Sequence, residues 1–550
     1  MPIVLGCLVV AGGCFADPAP GEDVSGSSGT GSTGPSSGGA SSTSTSGSEV
    51  TSSTQTGSET TTTGNVSGPD PSTGSTTTGG PANPPQTHVY DPELGVNVSG
   101  MAAHPEGGVI IAGDVWRNDS REAALVHVGL DGEVEWAVHA DRPESEQFYS
   151  VLVDGDRIVA TGVIRYGGPQ RSHILVSHFS LQGQHVQSVQ LETEGGDLVA
   201  RAATQTSTGG FVLAGNATDG LTDARGLAVG MSADFDPQWT SVVVGLGAVQ
   251  LLGVAEEPGG SFAVVGSNQL ELGDREAAVA RVGAGGDFTG GFSFGSGGVD
   301  VLRGVSSLGN DDVIVLGEAS SYSPDGSDAL AGRLNPVDPE SVQLVTVGSD
   351  DYDTFYAATT VAGTRVALGQ TNGVGSTANV WIRPIDDMLG LRSEGSVFLT
   401  PDPQRFRGAA ASPGGDTLAI ASNIDAMNDN ETWDLGLVYT NAQGALDRPC
   451  PGAVSDGFEA SPVTEVIETQ PLTIGAPLVV TRTDLETRDL VFSRSPCRGW
   501  ATTAAGSRYS VWGRQRLTTQ RTTSAPTSET ITSHSSQCIS VPSHGVSVVG

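Results

Sequence analysis

Seven copies of one short apolar run, set 49 to 53 residues apart, predict an all-β chain: a seven-bladed β-propeller of four-stranded antiparallel blades. The first copy is Gly107-Gly108-Val109-Ile110-Ile111-Ala112-Gly113, and the later ones end at Gly162, Gly215, Gly266, Gly317, Gly369 and Ala421. A second observation is that the run is apolar without alternation, and a strand that does not alternate is buried on both faces. The third is turn chemistry. Pro105-Glu106-Gly107-Gly108, Pro258-Gly259-Gly260 and Pro413-Gly414-Gly415 precede or open three of the copies. Further on, Asp131-Gly132 divides two apolar runs, where a two-residue turn needs positive φ at both positions. Sheets buried on both faces and repeated seven times stack radially. A solenoid of β-strands would repeat at roughly 20 to 30 residues.

Residues 1–16 read as a signal or lipoprotein segment. Their apolar stretch is too short to span a bilayer and ends in small residues. Ala11-Gly12-Gly13-Cys14 resembles the lipobox of bacterial lipoproteins, which implies lipidation of Cys14. Ala11 stands where Leu or Val is usual, and no basic residue precedes the run, which a start codon placed too far downstream would explain. The alternative is cleavage after Ala16 and free secretion. The expected place is therefore the outer membrane or cell surface as a lipoprotein, or else the exterior as a secreted protein.

Residues 17–87 are Ser, Thr and Gly with scattered Pro, a composition that cannot bury a core and predicts a disordered linker. About 70 such residues span ~45 Å on average. Gly29-Thr30-Gly31-Ser32-Thr33-Gly34 matches a dinucleotide fingerprint, but no strand precedes it and no helix follows, so it is an accident of composition.

Residues 88–447 hold the repeats. Each unit reads as four strands: a partly apolar run, a tight turn, the apolar anchor run, a polar connection, a third apolar run, a hairpin turn and a fourth run. The stretch Gly108-Val109-Ile110-Ile111-Ala112-Gly113, followed by Ala124-Leu125-Val126-His127-Val128 and Asp131-Gly132, resembles the bacterial delta-sixty-type β-propeller repeat. Ala280-Arg281-Val282 and Gly332-Arg333-Leu334 also carry the arginine of that pattern. The resemblance covers about 360 residues and implies a fold without implying chemistry. The last unit has three clear strands, so Thr87–Tyr90 is expected to supply its outer strand and close the ring.

In an antiparallel meander the turns alternate between two ends of each blade. The connections after the anchor strands, 114–122, 163–172, 216–225, 267–276, 318–328 and 422–434, are the long ones and share one face. They carry Trp116, Arg117, Tyr166, Arg171, Tyr322 and Trp433, which make that face the candidate binding surface.

Catalytic and metal patterns are sparse. Gly291-Phe292-Ser293-Phe294-Gly295 matches a nucleophile elbow, but it lies in an outer strand with no helix after it. The nine His are scattered without ligand spacing, and His127 and His178 read as strand residues. Asp425, Asp429 and Glu431 offer hard oxygen ligands of the kind Ca²⁺ accepts, the alternative being a solvated loop. No cofactor is expected. The net charge is −36 and all 26 basic residues are Arg, a balance that does not neutralise phosphates and argues against nucleic-acid binding.

Residues 448–550 do not continue the repeat and are expected to be a mostly disordered extension. Cys450 and Cys497 flank a stretch with some strand character and could pair outside the cell. From Arg498 the chain holds five Arg against one acid, Glu529, and reads either as a tail or as sequence in a shifted frame. Two functions remain: an exported, membrane-tethered binding or structural module for a protein or polysaccharide at the bacterial surface, or an exported propeller enzyme acting on glycans. The absence of a position-matched acid across the repeats favours a protein that is not an enzyme.

Overall fold

The computed structural model describes residues 87–90, most of 96–441, and the segments 453–455, 461–463, 469–485 apart from residue 477, and 492–494. Every helix or strand among them is a strand. Seven antiparallel sheets take up residues 96–140, 145–192, 197–244, 248–294, 300–347, 353–398 and 404–441, here blades 1 to 7. Within each blade the strands pair in sequence order. The first strand is innermost, because the first strands of successive blades pack on one another around the ring.

The core lies between the blades. The anchor strand of blade 1 turns Val109 and Ile111 toward blade 7, and Ile110 and Ala112 toward blade 2. Its lack of alternation is thereby explained: both faces of the sheet are covered, and each buried aliphatic side chain contributes about 1.5–3 kcal/mol. An apolar cluster of this kind fills each of seven junctions, including the one between blades 7 and 1. Seven blades with seven junctions make a closed ring; an open stack would have one junction fewer.

Closure uses backbone as well as side chains. Thr87–Tyr90 pairs antiparallel with Asp434–Asn441, aligning His88 with Leu437, and so becomes the outer strand of blade 7, as expected from the three-stranded last unit. Across the same seam Asn423 Oδ1 accepts from the Val98 amide at 3.0 Å, and Tyr439 donates to the Gly129 carbonyl at 3.1 Å.

The anchor glycines have a structural role. A Cβ on Gly113, Gly162, Gly215, Gly266, Gly317 or Gly369 would fall 1.8 to 2.0 Å from a carbonyl oxygen of the innermost strand. That close approach accompanies a β-bulge in the innermost strand of every blade, at Ser99, Tyr149, Arg201, Leu252, Arg303, Tyr356 and Arg407. In blade 7 the register puts Ser422, one residue beyond Ala421, at the place of the anchor glycine.

The chain after 447 lies outside the repeats, yet six short segments of it are built into the ring. Ala453–Ser455, Ser461–Pro462, Thr469–Pro471, Thr473–Ile474, Thr481–Leu485 and Phe492–Arg494 each add a fifth strand, to blades 6, 5, 4, 3, 2 and 1 in that order. The segment thus runs backwards around the outer rim as a belt. For these residues the expectation of a disordered extension is corrected. Main-chain hydrogen bonds to the open outer edges need no amphipathic pattern, so a strand of two or three residues leaves little trace in the sequence. Residues 1–86, all five cysteines (Cys14, Cys450 and Cys497 among them) and residues 495–550 lie outside the described residues.

Candidate functional site

The two ends of the ring differ as the meander requires. First and third turns gather at one end: a Cβ on Gly108 of the first turn would lie 2.1 Å from the Val128 carbonyl oxygen at the start of the third. At the other end the connections after the anchor strands are shorter than expected. In blade 1 the pairing continues to Arg117 and Ser120, and in blade 4 to Glu271 and Asp274. These are protruding hairpins, because Asp114, Glu122 and their neighbours continue the ladder instead of leaving it.

Among the described residues proposed for that face, Trp116 is the exposed one of large apolar surface, 52% accessible near the tip of the blade 1 hairpin. It is paired with Arg121, whose guanidinium lies 5.7 Å from the indole centroid. Arg117 follows it as the last residue of the strand. Tyr166 is partly buried: its hydroxyl donates to Gln190 and its ring stands edge-on to His173. Arg171 is exposed, and its carbonyl accepts from the Tyr166 amide at 3.4 Å. Tyr322 packs against the apolar cluster between blades 4 and 5. Trp433, and the calcium candidates Asp425, Asp429 and Glu431, lie outside the described residues. No group of three or more His, Cys, Asp or Glu among the described residues is placed to hold a metal ion.

The bulge column around the axis was not anticipated. Arg201 of blade 3 stacks over the ring of Tyr149 in blade 2 at 4.4 Å, and Arg303 of blade 5 over Tyr356 in blade 6 at 5.0 Å. Arg303 also binds Glu318 at 2.7 Å, and the Tyr352 hydroxyl donates to the same carboxylate. Burial pushes the Tyr352 phenol well above its ordinary pKa. Burial also opposes the charge on Arg303, but Glu318 and the two tyrosines outweigh it and hold the guanidinium charged. The cluster therefore ties blades 5 and 6 together, and its charges neutralise one another. A sequence signal existed: the column stands thirteen to fifteen residues before the anchor position in every repeat. Its side chains share no chemistry, so no motif marks it.

One pair of acids comes near to catalytic chemistry. Asp300 and Glu276 are both buried and both reach Gly295, where a Cβ would lie 2.5 Å from Asp300 Oδ2 and 3.4 Å from Glu276 Cγ. Burial pushes the Asp300 carboxyl up to about 6, against hydrogen bonds from Ser321. Glu276 accepts from Ser293, the serine of the elbow-like motif, and from Gln470 of the belt. Ser293 is thus a buried outer-strand residue. Neither acid lines the two cavities between blades 1 and 2 and between blades 3 and 4.

No family model matches the chain, and no curated protein matches it. Among solved structures, two crystal structures of Sqt1 from Chaetomium thermophilum are similar. One is 13% identical with a TM-score of 0.38, covering 65% of this chain and 98% of that chain. The other is 10% identical with a TM-score of 0.39, covering 65% of this chain and 99% of that one. The fold assignment rests on the strand order and the seven junctions.

Both cavities open at the short-turn end. One, of about 310 Å³, lies between blades 1 and 2 beside His104, His127 and Trp136. The other, of about 370 Å³, lies between blades 3 and 4 beside Phe211, Trp239 and Phe262. Sequence reasoning placed binding at the opposite end, because cavities made where neighbouring blades meet have no signature within a single repeat.

Proposed function

We propose that this chain is an exported binding or structural module of the bacterial cell surface, held at the outer membrane by lipid on Cys14, with residues 17–87 as the tether. Its repeats are read as delta-sixty-type, and its partner as a protein or polysaccharide met by the hairpin end of the ring. The observation that carries this reading is Trp116: a half-exposed indole on a rigid paired hairpin, backed by Arg121. Trp and Arg on preorganised elements are the residue types that dominate binding energies. A second reading, an exported enzyme acting on glycans, is favoured only by the Asp300–Glu276 pair, whose raised carboxyl could hold a proton for an acid step.

The test is retention of the full chain on a panel of immobilised cell-surface polysaccharides, together with assay of products released. Retention without turnover is expected. Trp116→Ser should weaken it at least ~tenfold, a loss of about 1.4 kcal/mol, with an unchanged melting temperature. Turnover abolished by Asp300→Asn would establish the enzyme instead. Independently, Cys14→Ser should move the protein from the membrane fraction to the medium or periplasm; an unchanged distribution would remove the lipid anchor from the account.

A further inference from the structure

At the short-turn end, one blade reaches across to the next through a side chain that donates a hydrogen bond. Arg157 of blade 2 donates to the Ala233 carbonyl of blade 3 at 2.9 Å. Arg281 of blade 4 donates to the Asp311 carbonyl of blade 5 at 2.6 Å, and Arg333 of blade 5 to the Asp387 carbonyl of blade 6 at 3.3 Å. At two junctions a fourth-strand tryptophan lies against a glycine of the next blade, Trp136 against Gly183 between blades 1 and 2 and Trp239 against Gly286 between blades 3 and 4. These are the junctions that hold the two cavities.

The register explains the space. His127, Gly230, Arg281 and Arg333 occupy one equivalent position on the third strand, opposite the second residue of the anchor strand. His104, Thr206 and Glu257 occupy another, at the start of the first turn. In blade 4 the pair is Arg281 with Glu257, a two-pronged ion pair at 2.7 Å on each prong that fills the end of the blade. In blade 1 it is two imidazoles with centroids 4.0 Å apart. In blade 3 it is Thr206 and Gly230, so both bulky partners are gone. The Trp239 indole lies over Gly230, where a Cβ would come within 2.1 Å of it, and against Gly286 of the next blade.

The two cavities differ in what is already satisfied. Trp136 gives its indole N–H to the Leu181 carbonyl at 3.2 Å, and the histidines beside it bond to backbone. At the blade 3–4 junction the crossing hydrogen bond comes from the Ser241 hydroxyl to the Gly286 carbonyl. The Trp239 indole N–H makes no hydrogen bond among the described residues, and Trp239 lines a cavity of about 370 Å³. That volume is at the small end of the usual ligand-pocket range of ~300–1,000 Å³. Phe211, Met231 and Phe262 supply an apolar floor, while Thr206, Thr208 and Gln238 stand at the rim. The one charged lining residue, Glu256, is held by the Ser207 amide and hydroxyl at 2.7 Å each.

We propose that this cavity binds a neutral saccharide ring, its C–H face on the Phe211–Met231–Phe262 floor and its hydroxyls on the rim and the Trp239 N–H. An apolar floor under a rim of donors and acceptors fits a ring that is apolar on its faces and polar at its edge. A purely apolar ring would leave the rim groups desolvated and unpaired. The one charged lining residue is the Glu256 carboxylate, and the Arg157 guanidinium beside Phe211 is already bonded to the Asp154 carboxylate, which disfavours an anionic sugar. The proposal rests on reading the chain as a binding module, and adds a ligand class and a second site, remote from Trp116.

The test uses the full chain with methyl β-D-glucopyranoside, methyl α-D-mannopyranoside and glucuronate, followed by saturation-transfer NMR and calorimetry. At least one neutral glycoside should bind saturably at millimolar concentration, and glucuronate at least ~tenfold more weakly, each tenfold being one step on the usual affinity scale. Ala284→Trp, at an exposed turn residue of the lining, should abolish binding without lowering the melting temperature; Thr208→Trp replaces it if that variant fails to fold. Trp239→Phe, which keeps the wall and removes the N–H, should weaken binding several-fold, and Trp116→Ser should leave it unchanged. Absence of saturable binding by both glycosides, or binding that persists in the blocking variant, overturns the pocket. Failure of the unaltered chain to be retained on any polysaccharide, or retention unaffected by Trp116→Ser, with glycoside binding intact, overturns only the hairpin-end reading.

Discussion

At the scale of the residue, a missing β-carbon shapes the axis of the ring. Each anchor glycine lets the innermost backbone come close, and the bulge opposite it carries Tyr149, Arg201, Arg303 or Tyr356 out of the regular pleat. Gly266→Ala would put a Cβ 1.8 Å from the Gln250 carbonyl oxygen, and backbone must move to relieve it. A loss of about 3 kcal/mol is expected by denaturant titration. Gly283→Ala, whose Cβ would meet nothing closer than 3.4 Å, is expected to change stability by less than about 0.5 kcal/mol. Equal effects of the two substitutions would contradict the role given to the anchor. Histidine 185 offers a pH test. Burial lowers its pKa from 6.5 to about 4, so the folded state prefers the neutral ring while the unfolded chain takes up a proton below 6.5. Its contribution to stability is present above pH 6.5 and is lost as pH falls from there to about 4. His185→Gln should flatten the fall in melting temperature over that window; an unchanged slope would show that the imidazole titrates as in solvent.

At the scale of the element, the ring is secured twice. Thr87–Tyr90 completes blade 7 from the N-terminal side, and the belt covers the outer edges of the other six blades from the C-terminal side. Each belt strand is two to five residues long and would be marginal alone. Together they cap six edges that would otherwise be open to pairing with other chains. Ending the chain after residue 447 should lower the melting temperature by about 5 °C, as ~2 kcal/mol does in a large domain. It should also produce soluble aggregates visible by light scattering. A truncated protein that melts as before and stays monomeric would mean that the belt adds nothing to the ring.

At the scale of the whole molecule, the period and the unalternating strands made the blade count, the closed ring and the closing strand readable before any coordinates. They did so because radial stacking buries both faces of every sheet, a constraint that each repeat must write into its own sequence. The belt was not readable, since Ser461–Pro462 or Thr473–Ile474 answers to main-chain hydrogen bonds on a neighbour's edge and needs no side-chain pattern. The bulge column was hidden for a related reason: its mark is a glycine on the adjacent strand. The candidate surface was readable only in part. Trp116 stands exposed as expected, Tyr166 and Tyr322 are spent on packing, and the blade 3–4 cavity depends on what one repeat, blade 3, lacks at two positions. All of this hangs on closure. The most direct measurement is hydrogen exchange by mass spectrometry on the full chain, following residues 87–90 and 434–441. Slow exchange of both segments, with 434–441 losing protection when residues 86–92 are deleted, is the result a closed ring predicts. Exchange of residues 87–90 as fast as in an unstructured peptide would contradict it.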